Sequence, residues 1–223
     1  MKRLIKAKSQ QQFEDDVDKE LHDYIENPNS ANSNELKEAV EELTQEFDSA
    51  QTSLNQIPAL FKKLLTDGKF SGNNFDNGGG KFDTASEWLL ENGFSNFVYD
   101  KYNRDEEHNK SVIDKDDYET STIANVLNVI KEDEVILDIL RKSKEKAPVT
   151  YISVYEGDRS GVGRMTKDNN GKKCWQRNEK LKDYVPLIKQ VFDNVKVWHG
   201  YITAWDYSDI EETQKKLKSY QKK

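Results

Sequence analysis

Hydrophobic residues recur at helical spacing through the N-terminal part of the chain. Over residues 12–25 apolar side chains return every three or four positions, and over residues 36–54 they alternate in steps of four and three, which is a heptad pattern. The polar segment 27–34, which contains Pro28, separates the two stretches. The pattern predicts a helical hairpin within an extension over residues 1–68, which we expect to cap the rest of the protein or to form a homodimer or partner interface.

The pattern changes after residue 69. Short runs rich in β-branched and aromatic residues alternate there with helical patterns, and this alternation is typical of an α/β domain. We therefore predict an α/β domain over residues 69–207, followed by a charged helix or tail over residues 208–223. The β-rich runs are residues 97–99, 121–130, 149–155 and 195–205, and the predicted helices are residues 84–91, 105–113, 132–144 and 179–192.

Composition narrows the class of protein. Hydrophobic residues make up 35% and aromatic residues 10% of the chain, which is enough for a packed core. The net charge of -7 excludes a globally basic nucleic-acid binder, so any polyanion must be met by a local patch. Cys174 is the only cysteine, which excludes an internal disulfide and a multi-cysteine zinc cage. No apolar stretch has the length of a membrane helix, so we expect no membrane binding. The single cysteine fits a reducing cytoplasm, and the scattered His22, His108 and His199 do not indicate a metal site.

Three consecutive glycines form the most informative segment. Gly78, Gly79 and Gly80 allow the backbone to turn sharply and to approach a ligand closely. A helix is predicted to begin at Thr84, with Asp83 as its N-cap, and the free N–H groups of its first turn favour an anion. Acid, glycines and helix in this order indicate a nucleoside-binding loop, whereas a plain surface loop is the alternative.

An acidic residue follows at the distance that a ribose contact requires. Asp100 closes the predicted strand 96–99, twenty residues after Gly80, and a carboxylate there can accept hydrogen bonds from both ribose hydroxyls. A Walker loop is excluded because Lys81 is followed by Phe82 rather than by Ser or Thr. The pair of signals favours nucleoside binding and argues against ATP hydrolysis.

The segment Asp76-Asn77-Gly78-Gly79-Gly80-Lys81-Phe82 resembles the first motif of class I S-adenosylmethionine-dependent methyltransferases, acid-x-Gly-x-Gly-x-Gly, with two of the three glycines in place. The resemblance covers about residues 74–204 and implies a Rossmann-like methyltransferase sheet with S-adenosylmethionine as cofactor. Residues 98–109 and 125–130 resemble the corresponding segments of a subset of methyltransferase-like proteins that is often phage or prophage encoded. The implied cofactor-binding residues are Asp76, Asn77, Gly78, Gly79, Gly80, Asp100, Tyr102 and Asn125.

Two departures from the family pattern affect the cofactor site. Phe82 stands in place of the third motif glycine. Only twenty residues separate Asp100 from Ser121, so we expect the third strand of the family, with its adenine-binding acid, to be truncated or absent. Asp117 and Glu119 are the nearby candidates to replace it.

Two residues are candidates for catalysis. A strand over residues 121–124 would deliver Asn125 to the carboxyl end of the sheet, where its amide could orient a nucleophile or hold the cofactor's ammonium but could not act as a base. Local capping of the strand is the alternative for Asn125. His108 is the candidate general base, and an ordinary solvated histidine is the alternative. Asn125 is not followed by the Pro-Pro of DNA amino-methyltransferases, which argues against that chemistry.

Positive charge concentrates in one segment. Residues 159–182 contain eight basic and two acidic residues, a charge of +6, and the glycines in the first half predict a mobile loop after the strand 149–155. Tyr155 and Trp175 add surfaces on which bases could stack. The candidate substrate-binding residues are Arg164, Lys172, Lys173 and Trp175. A nucleic-acid strand is the partner that this pattern favours, and a solvated loop is the alternative.

Together these features predict methyl transfer from S-adenosylmethionine to an unidentified acceptor, with nucleic acid as one candidate. The rival is a noncatalytic protein that keeps the methyltransferase fold in order to bind a host or viral macromolecule, because a fold does not determine a function.

Overall fold

The computed structural model describes residues 53–167 and 173–206. The two predicted helices within residues 12–54 fall almost entirely outside this range, and so do Lys172, the side chain of Lys173 and the predicted tail 208–223. The division into extension, domain and tail therefore stays a prediction. No helix in the described ranges is long and apolar enough to cross a membrane.

Six strands form the central sheet, in the spatial order β2-β1-β3-β4-β8-β7. The first four strands pair in parallel, whereas β8 runs antiparallel to both of its neighbours. The predicted α/β, Rossmann-like class is confirmed by this mostly parallel sheet. The strands are β1 Asn73–Asn77, β2 Ser95–Tyr99, β3 Thr120–Ala124, β4 Val149–Ser153, β7 Asn194–Val197 and β8 Ile202–Trp205, and a separate hairpin contains β5 Arg164–Lys167 and β6 Lys173–Gln176.

Five α-helices lie in the described ranges, and the second, third and fourth of them connect the parallel strands. They are α1 Ala59–Thr66, α2 Thr84–Glu91, α3 Glu106–Asp114, α4 Asp133–Lys146 and α5 Val185–Ile188, with 3-10 turns at Leu127–Val129 and Leu181–Tyr184. The single helix predicted over residues 179–192 is wrong. Pro186 lies in the first turn of α5, where its missing N–H is tolerated, so the 3-10 turn and the short helix form two pieces.

Two further boundaries differ from the sequence pattern. The β-rich run 121–130 ends as a strand at Ala124 and continues into a 3-10 turn. The run 195–205 is a hairpin of β7 and β8, because Gly200 has a φ of 93°, a left-handed conformation that lets the chain reverse. Within the described ranges β2 is an edge strand, as expected from the short segment that separates Asp100 from β3.

The core lies on both faces of the sheet. Ile123 and Ile152 point to the face covered by α4 and α5, whereas their neighbours Ala124 and Tyr151 point to the face covered by α1 and α2. Helix α1 contributes three fully or almost fully buried side chains to the second layer, namely Leu60, Phe61 and Leu64. The described end of the predicted extension is therefore part of the packed core.

Candidate functional site

The loop that contains Gly78, Gly79 and Gly80, here named the glycine loop, lies where the order of the strands reverses. From β1 the chain proceeds to β2 on one side, and β3 then pairs with the other side of β1. Open α/β sheets bind ligands at the carboxyl ends of the strands at such a point. The loop is tied to the neighbouring strand, since the N–H of Gly78 donates to the carbonyl of Tyr99 at 2.7 Å. The fold thus places Gly78, Gly79 and Gly80 at the expected ligand edge.

Close neighbours leave no space for a side chain at any of the three glycines, and Val126 Cγ2 is the atom that a Cβ on Gly78 would overlap. A Cβ on Gly79 would overlap the Oδ2 atom of Asp76, and a Cβ on Gly80 would overlap the Oγ atom of Ser53. Gly80 also has a φ of 80°, which side chains rarely adopt. The loop is therefore closely packed between a buried carboxylate below it and the chain preceding α1.

Asp76 is a buried carboxylate directly beneath the loop. Its exposed fraction is 2%, and its oxygens accept hydrogen bonds from Thr122 Oγ1 at 3.0 Å and Asn96 Nδ2 at 3.3 Å. Burial raises the pKa of Asp76 from 3.8 to about 6, because removal from water penalises the charged form. The nearby Asp100 raises the pKa further, while the two hydrogen bonds and Arg104 oppose the rise.

A row of polar side chains across three strands holds this carboxylate. Asn74 Nδ2 donates to Asn96 Oδ1 at 2.6 Å and to Thr122 Oγ1 at 2.8 Å, and Asn74 Oδ1 accepts from Thr120 Oγ1 at 2.9 Å. The bonds join β2, β1 and β3 in register. Because buried polar groups must find partners, the row fixes the orientation of Asp76.

Asp100 connects β2 to the glycine loop. Its Oδ2 accepts from the N–H of Gly80 at 2.9 Å, and its Oδ1 accepts from the N–H groups of Tyr102 and Asn103, at 3.0 and 2.9 Å, and from Asn103 Nδ2 at 3.1 Å. An ionised carboxylate has about four acceptor positions, two on each oxygen. Four donors of the protein itself therefore already contact this carboxylate, and its contact with the ribose hydroxyls stays a prediction.

Arg104 is a site residue that the sequence analysis missed. Its Nε donates to the carbonyl of Gly80 at 2.9 Å, and its Nη2 pairs with Asp83 at 2.7 Å. Asp83 does occupy the N-cap position of α2, but its side chain makes no capping hydrogen bond. The predicted N-cap position is confirmed, but the carboxylate pairs with Arg104 instead of an N–H group of the helix.

Asn77 and Tyr102, two of the predicted cofactor residues, differ in where their side chains lie. Asn77 is buried, and its Nδ2 donates to the carbonyl of Ile139 and to Ser143 Oγ, both at 3.0 Å, so its side chain anchors α4. The exposed Tyr102 follows β2, and its hydroxyl accepts from Lys101 Nζ at 3.1 Å. Of these two, only Tyr102 presents its side chain to solvent.

Asn125 follows β3 directly and lies at the carboxyl edge. Its φ is 58°, an uncommon conformation for a residue other than glycine and one that often marks functional sites. Its N–H donates to the carbonyl of Ser153 at 2.9 Å, and its side chain is exposed. The next residue, Val126, contacts the position that a Cβ on Gly78 would occupy. The structure thus brings the Asn125 segment against the glycine loop.

His108 lies elsewhere. Its Nε2 is 2.8 Å from the carbonyl oxygen of Val98, which can only accept, so Nε2 carries the proton and Nδ1 is the remaining basic atom. Val98 belongs to β2, whereas Asn125 follows β3, and β1 separates the two strands. The two predicted catalytic residues are therefore not placed in one cluster.

The basic segment contains a β-hairpin. β5 and β6 pair from Arg164 opposite Gln176 to Lys167 opposite Lys173, so the predicted mobile loop is wrong over these residues. Three arginines of the segment are already paired with carboxylates. These pairs are Arg159 with Glu156 at 2.6 Å, Arg164 with Asp158 at 2.6 Å and Arg177 with Asp133 at 2.5 Å. The charge of +6 thus overstates what the segment offers to a polyanion.

A closed ring of hydrogen bonds fastens the hairpin to the carboxyl edge. Asn128 Nδ2 donates to Gln176 Oε1 at 3.2 Å, Gln176 Nε2 donates to the carbonyl of Tyr155 at 3.0 Å, and the N–H of Tyr155 donates to Asn128 Oδ1 at 3.4 Å. Both amide side chains are buried. The ring leaves the Tyr155 side chain 64% exposed beside the end of β4.

Trp175 is packed rather than open. A Cβ on Gly163 would overlap its Cζ2, and Lys131 Nζ lies 5.7 Å from its ring centroid. Among residues 53–167 and 173–206 its buried Nε1 has no hydrogen-bond partner. Of the two aromatic residues predicted to stack with bases, Tyr155 is the more exposed.

No protein-family model matches the chain, and no curated protein matches it. Among solved structures, the chain is similar to the 1,6-didemethyltoxoflavin-N1-methyltransferase of Burkholderia thailandensis with bound 1,6-didemethyltoxoflavin and S-adenosylhomocysteine. That match has 14% identity, a TM-score of 0.44 and coverage of 66% of this chain and 76% of that one. A second match is the N-terminal domain of EvdMO1 with SAH bound, with 9% identity, a TM-score of 0.42 and coverage of 66% and 79%.

Proposed function

We propose that the protein is an S-adenosylmethionine-dependent methyltransferase. The observation that carries the proposal is the glycine loop at the strand-order reversal, tied through the N–H of Gly80 to Asp100 and lying directly on buried Asp76. The motif resemblance selects S-adenosylmethionine among nucleoside ligands.

The charges beneath the loop suit this cofactor. S-adenosylmethionine carries a sulfonium and an ammonium group, and Asp76 and Asp100 place two buried carboxylates next to the glycines. A bound cation would favour the ionised form of Asp76 and so offset its burial. Gly78, Gly79 and Gly80 would hold the methionine end, and Oδ2 of Asp100 would accept one ribose hydroxyl.

The cofactor supplies an electrophilic methyl group, and the chain supplies position. Asn125 stands exposed at the carboxyl end of β3, next to the segment that touches Gly78, where its amide can orient an acceptor. Holding two reactants in line supplies a large part of a barrier reduction without any acid or base. We assign Asn125 this orienting role.

One observation favours the noncatalytic rival. Asn125 cannot remove a proton, and the Nε2 proton of His108 is held by a backbone carbonyl on the far side of β1. A protein that binds the cofactor without transferring its methyl group would need neither residue. Such a protein would use the same fold to bind a host or viral macromolecule.

Titration calorimetry with S-adenosylmethionine tests the proposal. The full chain should bind the cofactor, and Asp100→Asn should weaken binding by about tenfold or more, since a hydrogen bond to a charged group contributes roughly 1.5 to 3 kcal/mol. Asp138→Asn, on the exposed side of α4, is the matched control and should bind normally. An absence of binding heat from the folded wild type would refute the proposal.

Turnover separates the enzyme from its rival. Radiolabelled methyl groups should move from the cofactor to an acceptor in mixtures of nucleic acids, proteins and small molecules. Binding of the cofactor without transfer to any of these would favour the noncatalytic protein.

A further inference from the structure

The turn between β7 and β8, residues 198–201, lies on the same edge of the sheet as the glycine loop. β8 is antiparallel to β4, and its first residue, Ile202, pairs with Ile152 near the end of β4. The turn that precedes Ile202 must therefore project from the carboxyl edge, beside the chain that leads from β4 to Tyr155.

Two stacked aromatic rings form the centre of this turn. The ring of Trp198 lies on that of Tyr201, with centroids 6.1 Å apart and an angle of 19° between the planes. Trp198 Nε1 donates to Thr203 Oγ1 at 3.0 Å, and the Tyr201 hydroxyl donates to Asp67 Oδ2 at 3.1 Å. Tyr201 is buried whereas Trp198 is 36% exposed, so the tyrosine supports a fixed indole ring at the surface.

Lysines surround this indole. Lys196 Nζ lies 3.9 Å and Lys69 Nζ lies 5.5 Å from the centroid of the Trp198 ring. Within residues 53–167 and 173–206 neither lysine forms an ion pair with a carboxylate, in contrast to the three paired arginines near the hairpin. Lys63 lies 5.8 Å from the Tyr201 ring, and it pairs with Asp67 at 3.5 Å. Two cations without a carboxylate partner and one partly exposed indole thus share one site.

We propose that Trp198, Tyr201, Lys69 and Lys196, together named the Trp198 cluster, bind a single strand of nucleic acid. A base would displace the Lys196 ammonium from the indole and stack on the ring in its place. The two lysines would then contact the phosphates that flank the base. Tyr155, after the neighbouring strand β4, offers a second exposed ring. Identifying the strand as the methyl acceptor rests on the proposed function, whereas the binding itself does not.

The chemistry favours a nucleic acid over a simple anion. Lysines alone would bind any phosphate, but a rigid indole held by Thr203 and by Tyr201 adds the flat surface that bases require. Because the whole protein has a net charge of -7, it can bind a polyanion only through a local cluster of positive charge.

Fluorescence anisotropy of the full chain with a short labelled single strand of mixed sequence tests the inference. Trp198→Ala should weaken binding roughly tenfold or more, and Trp198→Phe should restore most of the affinity because a phenyl ring also stacks. Lys69→Glu combined with Lys196→Glu should reduce the slope of log K against log salt by about 1.4, since each phosphate contact on a single strand contributes about 0.7.

A matched control has the same change in charge at other exposed lysines. Lys110→Glu combined with Lys189→Glu, on α3 and after α5, should keep the slope and nearly all of the affinity. An equal loss in both double variants, or no binding by the wild type at low salt, would overturn the inference. Calorimetry with S-adenosylmethionine keeps the two proposals apart: strand binding without cofactor binding refutes only the proposed function, and cofactor binding without strand binding refutes only this inference.

Discussion

Replacing Asp76 with Asn should change how stability depends on pH. In the folded protein the pKa of Asp76 is raised from 3.8 to about 6, with burial as the main cause. Between these pH values the folded chain binds more protons than the unfolded chain, so the free energy of unfolding falls as the pH rises. The neutral Asp76 carboxyl contributes fully to the stability of the fold below its pKa in the unfolded chain. This contribution is lost as the pH rises through its pKa in the folded chain.

The size of the effect follows from the shift. A rise of about two pKa units corresponds to about 3 kcal/mol, at 1.36 kcal/mol for each unit. An asparagine at this position does not titrate. The stability of Asp76→Asn relative to the wild type should therefore increase by about 2.5 kcal/mol between about pH 4 and about pH 7, since part of the total change falls below pH 4.

Urea unfolding of both proteins across this pH range measures the difference between their free energies of unfolding. The contributions of the other titrating groups cancel in that difference. Asp116→Asn makes the same change at a side chain that is 91% exposed and serves as the surface control. If the difference in the free energy of unfolding between Asp76→Asn and the wild type stays constant with pH, the burial of Asp76 does not destabilise its charged form, and the reasoning is refuted.

Three other predictions concern the support of the site. A chain that begins at residue 69 lacks the buried side chains of α1 and should unfold at a lower temperature than one that begins at residue 53, as thermal denaturation would show. If sedimentation gives the chain that begins at residue 53 and the full chain the same oligomeric state, dimerisation through the N-terminal helices is contradicted. Asn128→Ala opens the hydrogen-bond ring with Gln176 and should accelerate amide exchange in β6 but not in β1. Arg104→Ala should weaken cofactor binding several-fold in calorimetry, because the loop loses its contact at Gly80, and unchanged affinity would contradict that role.

Local patterns were sufficient for the elements that depend on local forces. The helix over residues 84–91 was predicted with its observed bounds, since a polar, glycine-rich segment precedes an amphipathic run. The position of Asn125 after β3 followed from the length of a single buried strand. The role of α1 in the core was underestimated, because residues 1–68 were assigned to an extension although α1 contributes Leu60, Phe61 and Leu64 to the packed core.

Contacts between distant parts of the chain could not be predicted in this way. Arg104 reaches Gly80 and Asp83 only because β2 returns alongside β1, and nothing in its own neighbourhood indicates that pairing. The same holds for Asn128 and Gln176, which are 48 positions apart. The hairpin of β5 and β6 was missed because its short strands lie next to a polar, glycine-rich segment, which is also typical of loops.

A crystal structure of the full chain grown with S-adenosylhomocysteine tests the central claim most directly. The account predicts electron density for the ligand against Gly78, Gly79 and Gly80, with one ribose hydroxyl donating to Oδ2 of Asp100. Density at another place on the molecule, or an empty glycine loop at saturating ligand, would contradict the account.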